Sequence, residues 1–130
     1  MGCELWLEIQ ELNDKHMQDF RNLKVWEKAH ELVLDIYLLT MKFPKEEKFG
    51  LISQLRRAAA SIPTNIAEGT GHRSEKEFGR YLQMSIASSC EVEYLMVLSK
   101  DLGYYETSDE FTNRIVSIRR MLVSLRAKLK

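Results

Sequence analysis

Three stretches of the chain repeat apolar residues at alternating steps of four and three, the spacing of one stripe along an α-helix, and another keeps its apolar residues to one side. Val25, Ala29, Leu32, Ile36, Leu39 and Phe43 form the first, within a helix expected over 23–42 that Pro44 ends. The residue before a proline is pushed out of the helical region. Ile52, Leu55, Ala59, Ile62 and Ile66 form the second, over 45–68. Pro63 lies inside this helix; it removes the bond to the Ala59 carbonyl and predicts a kink. Gly69 and Gly71 follow, and a glycine in the left-handed conformation is the expected stop. The third helix is expected over 74–102, opened by a capping box of Ser74 and Glu77 and closed by Gly103, with Phe78, Leu82, Val92 and Met96 on its apolar side. The fourth is expected from Thr107 or Ser108, with Thr107 and Glu110 again at capping-box spacing. Phe111, Ile115, Ile118, Leu122, Leu125 and Leu129 give its stripe. Four helices of similar length joined by short turns predict an all-α fold, an antiparallel up-down four-helix bundle over 20–130. Residues 1–19 form an N-terminal extension in which Leu5, Ile9 and Leu12 can line a short extra amphipathic helix beside Trp6.

Length and composition leave this picture intact. The 130 residues suit one domain with one core. A hydrophobic share of 45% and a charged share of 29% are those of a globular chain, and only 2 Pro and 6 Gly leave room for long helices. No apolar run reaches the ~18 residues of a membrane span, and the acidic N-terminus is unlike a secretory signal. Cys3 and Cys90 have no CxxC or metal spacing and are read as reduced thiols of a cytoplasmic protein, Cys90 as a buried inert one.

Charge changes the picture more. Nineteen bases balance nineteen acids, which argues against a polycation that coats nucleic acid non-specifically. The balance hides an asymmetry: residues 1–20 carry −4 and residues 110–130 carry +5. Arg114, Arg119, Arg120, Arg126 and Lys128 of the fourth helix, extended by Arg56, Arg73 and Arg80, are the candidate nucleic-acid surface. Clustered cations are all that phosphate binding requires. The alternative is an ordinary basic helix end that complements the helix dipole and pairs with the acidic N-terminal segment; overall neutrality weighs for it.

A second stripe on the second helix is polar: Gln54, Arg57, Ser61, Asn65 and Glu68 at steps of 3, 4, 4 and 3. It is either a solvated face or a network that serves the backbone around the proline and pairs with an adjacent helix or subunit. Serine and asparagine are poor helix formers, which favours the network, and with it a possible oligomer interface.

The sequence holds no recognisable catalytic or metal-binding pattern. His16, His30 and His72 stand apart, without the paired spacing of a metal site. Glu27 and His30 make one Glu-x-x-His, whereas a di-iron bundle needs two, aimed inward. No nucleophile has a base at a recognisable spacing. The expectation is a protein that is no enzyme and uses no cofactor.

The second helix and its flanks carry a longer pattern. Leu23-x-Val25-Trp26-x-x-Ala29 precedes Phe43-Pro44-x-Glu46 and Phe49-Gly50-Leu51-x-x-Gln54-Leu55-Arg56-Arg57-Ala58; Ser61-Ile62-x-x-Asn65-Ile66-Ala67-Glu68-Gly69 completes it. Phe78, Leu82, Ser88-x-x-Glu91-x-Glu93 and Leu102-Gly103-Tyr104 continue it. In these residues, spread over 20–130, the chain resembles the "four helix bundle protein" family of bacteria. That family was first noticed as reading frames in intervening sequences of 23S ribosomal RNA genes. Ala87 replaces the family's usual glycine and Ser85 its usual alanine, both still small. The resemblance does not extend to residues 1–19. It implies an up-down bundle and, as in several relatives, a ring-shaped homopentamer. A related group serves diversity-generating retroelements, where a basic pentamer binds nucleic acid and a reverse transcriptase. The resemblance therefore implies two kinds of role: an oligomer that binds RNA or DNA through arginines of the second and fourth helices, or a scaffold for a partner protein.

Overall fold

The structure, a computed structural model, describes residues 19–106 and 109–130. The expected N-terminal helix and the Thr107 cap lie outside the described residues. The Asp19 carboxylate accepts from the Arg21 amide at 2.9 Å and sets a 3-10 turn, Phe20–Asn22, ahead of the first helix. Four helices follow, α1 (Lys24–Thr40), α2 (Leu51–Thr70), α3 (Glu75–Asp101) and α4 (Glu110–Ala127).

The stripes become the core. Val25, Ala29, Leu32 and Ile36 of α1 meet Leu55, Ala59, Ile62 and Ile66 of α2, Leu82, Val92 and Met96 of α3, and Ile115, Ile118, Leu122 and Leu125 of α4, all buried in one cluster. Leu39, Phe111 and Leu129 are half-buried at its rim. Each large side chain taken out of water is worth roughly 2 kcal/mol. A surface ion pair contributes about 0–1 kcal/mol, so the stripes hold the bundle and the charges decorate it. Each helix packs on its neighbours in sequence, and α4 returns to α1, so α1 and α3 lie across a diagonal. The chain runs up and down: Gly69 near the end of α2 meets Phe78 near the start of α3, and Gly79 of α3 meets Leu129 beyond the end of α4.

The turns depart from expectation in three places. α2 starts at Leu51, six residues later than 45, because Pro44 opens a separate 3-10 turn, Lys45–Glu47. Glu47 then works as a fastener. Its Oε1 accepts from the Leu51 amide at 3.3 Å and its Oε2 from the Tyr104 hydroxyl at 2.8 Å, which ties the first connection to the third. That bond to a carboxylate holds the Tyr104 phenol above its usual range. Secondly, Gly71 does not take a left-handed conformation; its φ is −77°. The glycine the packing requires is Gly69, where an added Cβ would stand 2.7 Å from Phe78 Cδ1 and 3.0 Å from Tyr81 Cβ. Thirdly, α4 begins at Glu110 behind Asp109, which makes no side-chain cap bond. Earlier in the same connection, Tyr105 stacks edge-on against Phe111, and its hydroxyl donates to the Met96 carbonyl.

The other caps follow the pattern. The Ser74 hydroxyl accepts from the Glu77 amide at 3.1 Å, although the Glu77 carboxylate is turned to Arg80. Gly103 closes α3 at φ +81°, with Tyr104 N–H bonded to Ser99 O and its own N–H to Lys100 O. No atom lies within 4 Å of a Cβ added there. Gly103→Ala should therefore cost only the left-handed backbone penalty, about 1–2 kcal/mol, and Gly103→Asn much less. Denaturant midpoints of the two variants check this.

α2 continues as helix through Pro63, which is buried. Side chains serve the carbonyls around it: Ser61 Oγ donates to Ala58 O, Thr64 Oγ1 to Ala60 O, Asn65 Nδ2 to Ser61 O, and Ser85 Oγ of α3 to Ile62 O, all at 2.8–2.9 Å.

Candidate nucleic-acid interface

Three of the eight candidate cations are spent inside the fold. Arg56 crosses from α2 to the end of α1. Its Nε donates to Thr40 Oγ1 at 2.8 Å and its Nη2 to Tyr37 O at 3.2 Å, with the guanidinium over the Tyr37 ring. It thereby adds a donor to the Tyr37 carbonyl near the end of α1, which also accepts from the Met41 amide at 3.2 Å. Arg114 pairs with Asp35 of α1 at 2.7 Å and with Glu110 at 3.8 Å. Arg119 reaches across to α3, where it donates to Glu93 Oε1 at 2.5 Å and lies 3.4 Å from Cys90 Sγ. The Glu93 bond holds the Arg119 guanidinium above its ordinary value.

The other five are at the surface. Arg80 shares its charge with Glu77 at 3.0 Å, and Arg73, Arg120, Arg126 and Lys128 are exposed. Antiparallel pairing of α3 with α4 brings the start of one beside the end of the other. There Arg80 and Arg126 meet Lys76 and Lys130 around an open groove of about 540 Å³, floored by Gly79 and Leu129, with Gln83, Glu75 and Glu77 also on its walls. Glu77 is claimed by Arg80, whose hydrogen bond holds that carboxyl below its usual range. Arg73 and Lys128 flank this end in sequence; Arg120 lies one residue, ~100° of helix, from Arg119 and does not line the groove. Lys76 was not among the sequence candidates. Its signal is the up-down order itself, which places residue 76 opposite residues 126–130.

The polar stripe of α2 divides. Ser61 and Asn65 join the bonded set around Pro63, and Ser61 Oγ meets Ser88 Oγ of α3 at 2.5 Å. Gln54, Arg57 and Glu68 are exposed and stand apart from it.

Cys90 corrects an expectation: it is exposed. The buried arc of α3 runs through Ser85, Ser89, Val92 and Met96, and Cys90 falls ~100° round from Ser89. His30 stacks on Trp26 and His72 on Tyr81. Among the described residues, no three His, Cys, Asp or Glu side chains converge to hold a metal, and no helix is long and apolar enough to cross a membrane.

The chain is similar to known proteins in two respects. A family model described as "23S rRNA-intervening sequence protein" matches residues 21–124. A crystal structure of a protein with unknown function from the S23 ribosomal protein family of Bacteroides thetaiotaomicron superposes with a TM-score of 0.73 at 23% identity, covering 80% of this chain and 96% of that one. At that identity the likeness is one of fold. No curated protein matches the chain.

Proposed function

Because the chain belongs to the 23S rRNA-intervening sequence protein family, we propose that it is a non-catalytic, self-associating cytoplasmic protein that binds structured RNA through the basic groove between α3 and α4. The observation that carries this reading is the convergence of Lys76, Arg80, Arg126 and Lys130 on one open surface. Arginine and lysine at a groove mouth can contact successive phosphates without any base-specific geometry. The reading narrows the sequence candidates: Arg56, Arg114 and Arg119 hold helices together, and the RNA is left to the groove cations with Arg73 and Lys128 beside them. It needs no metal or cofactor.

An electrophoretic shift of a structured RNA at about 50 mM salt, where phosphate contacts are strongest, tests it. The expected result is a shift at micromolar protein. Absence of any shift under those conditions overturns the reading.

A second reading, a scaffold for a partner protein with no nucleic-acid contact, has its own supporting observation. The outer face of α1 is apolar and uncovered, with Leu34, Leu38 and Met41 exposed.

A further inference from the structure

An apolar channel begins where the first turn of the described chain packs. Phe20 stands edge-on to Trp26 at 4.9 Å, and its 3-10 turn touches α2 as well as α1. From there an open groove of about 380 Å³ runs between the two helices, walled on α1 by Trp26, His30 and Val33. Its floor on α2 is Ala60, Pro63 and Ala67, side chains small enough for another helix to come close. Ala60 also borders a second groove of about 600 Å³, where Tyr37 and Phe49 continue the wall. Phe49 is 90% exposed. An uncovered apolar surface of this extent marks a contact.

Charge along the channel is uneven. Near Phe20 it is mixed: Glu27, Glu31 and Glu68 stand with Lys24 and Lys28. At the Phe49 end Lys48, Arg56 and Arg57 border the channel, against Glu46. The Arg56 bonds go to a hydroxyl and a carbonyl, which leave its charge standing.

Residues 1–18 lead into the channel at Phe20 and lie outside the described residues. Their sequence matches it in three ways. Leu5, Ile9 and Leu12 repeat at steps of four and three with Trp6 beside them, the anchor spacing of a helix laid in a groove. Residues 1–11 hold Glu4, Glu8 and Glu11 and no Lys or Arg, so the part that reaches the basic end is acidic. Length agrees as well. Cys3 is 16 residues from Asp19 and Ser53 is 14 from Ala67, about 24 Å and about 21 Å of helix. The groove between α1 and α4 matches less well: Asp35 and Glu110 line it, and Arg114 is already paired with both.

We infer that residues 1–18 seat in the α1–α2 channel of their own chain as an amphipathic helix antiparallel to α1. The seat covers the aromatic wall and sets the segment's acids against Lys48 and Arg57. It also keeps the acidic segment off the basic groove, which lies between the other two helices.

Crosslinking in the full chain tests this. Cys90→Ser leaves Cys3 as the remaining thiol. Ser53→Cys then adds a second thiol in the channel, and Gln83→Cys adds one in the basic groove instead; both positions are exposed. A short bis-maleimide tolerates a register error of about one helical turn, ~5.4 Å, and intact mass tells a bridge within one chain from a bridge between two. The Ser53→Cys protein is expected to bridge within one chain at least about ten-fold faster than the Gln83→Cys protein, since a seated segment has the higher effective concentration at its seat. Ile9→Glu with Leu12→Glu should reduce the Ser53→Cys rate to the Gln83→Cys rate. Equal rates in the two proteins, a faster bridge in Gln83→Cys, or bridges formed between chains would each overturn the seat.

Discussion

Arg80→Glu, Arg126→Glu and Lys130→Glu together should lower affinity for structured RNA about 100-fold or more at about 50 mM salt. Each cation facing a phosphate is worth on the order of 1 kcal/mol against a polyanionic surface, and reversal adds repulsion to the loss. Three such contacts amount to roughly 3 kcal/mol, and 1.4 kcal/mol is a factor of ten. All three side chains border solvent at the groove, so the fold should tolerate the change. Lys42→Glu, Lys45→Glu and Lys48→Glu, exposed around the connection from α1 to α2 at the opposite end of the bundle from the groove, alter net charge equally. That second set should leave affinity within about three-fold, because screening confines exposed charges to ~10 Å at ordinary salt. Titration of a labelled RNA with both triple variants separates a located site from a general charge effect.

Gly69→Val should be the most damaging single change to the fold, by about 3 kcal/mol. A Cβ alone would stand 2.7 Å from the Phe78 ring and 3.0 Å from Tyr81 Cβ, and the two valine methyls need further room. Tyr81 Cβ is fixed by its backbone, so the helices themselves must part. Overpacking of this kind costs about 1–3 kcal/mol, occasionally more. The small gain in helix propensity on leaving glycine is well under 1 kcal/mol for valine and cannot offset it. Parting α2 from α3 also lengthens the Ser85–Ile62 and Ser61–Ser88 bonds beside Pro63. A melting midpoint lower by about 10 °C is the expected readout for a chain of this size. Gly71→Ala, where the nearest atom is the Glu68 carbonyl oxygen at 3.3 Å, should change little.

These two variants also mark where the sequence was legible and where it was not. The stripes were legible because burial on a helix follows angle, and angle follows residue number; Leu55, Ile62, Leu82, Ile118 and Leu122 are buried as spaced. Gly103 was legible for the same local reason, since a helix stop is settled within six residues. Gly69 was not, because its constraint comes from Phe78 and Tyr81 on another helix. The cations failed in the same way. Arg114 and Arg119 look alike on a helical wheel to any exposed arginine. Asp35 and Glu93, which claim them, are 79 and 26 residues away in the chain. Lys76 became a candidate only once α3 and α4 were paired end to end. Cys90 sat within a run of small residues that reads as a close-packed seam, but only Ser85 and Ser89 of that run turn fully inward.

The central claim, RNA held by the groove cations, is tested most directly by the salt dependence of binding. Wild-type affinity for a structured RNA, measured from about 50 to 200 mM salt, should fall along a straight log–log line. Four cations per copy give a slope of about −3 to −4 on the duplex relation, per copy bound. The triple groove variant should flatten that slope by about 3 units. A wild-type slope near zero, or one that the groove variant leaves unchanged, would contradict the account.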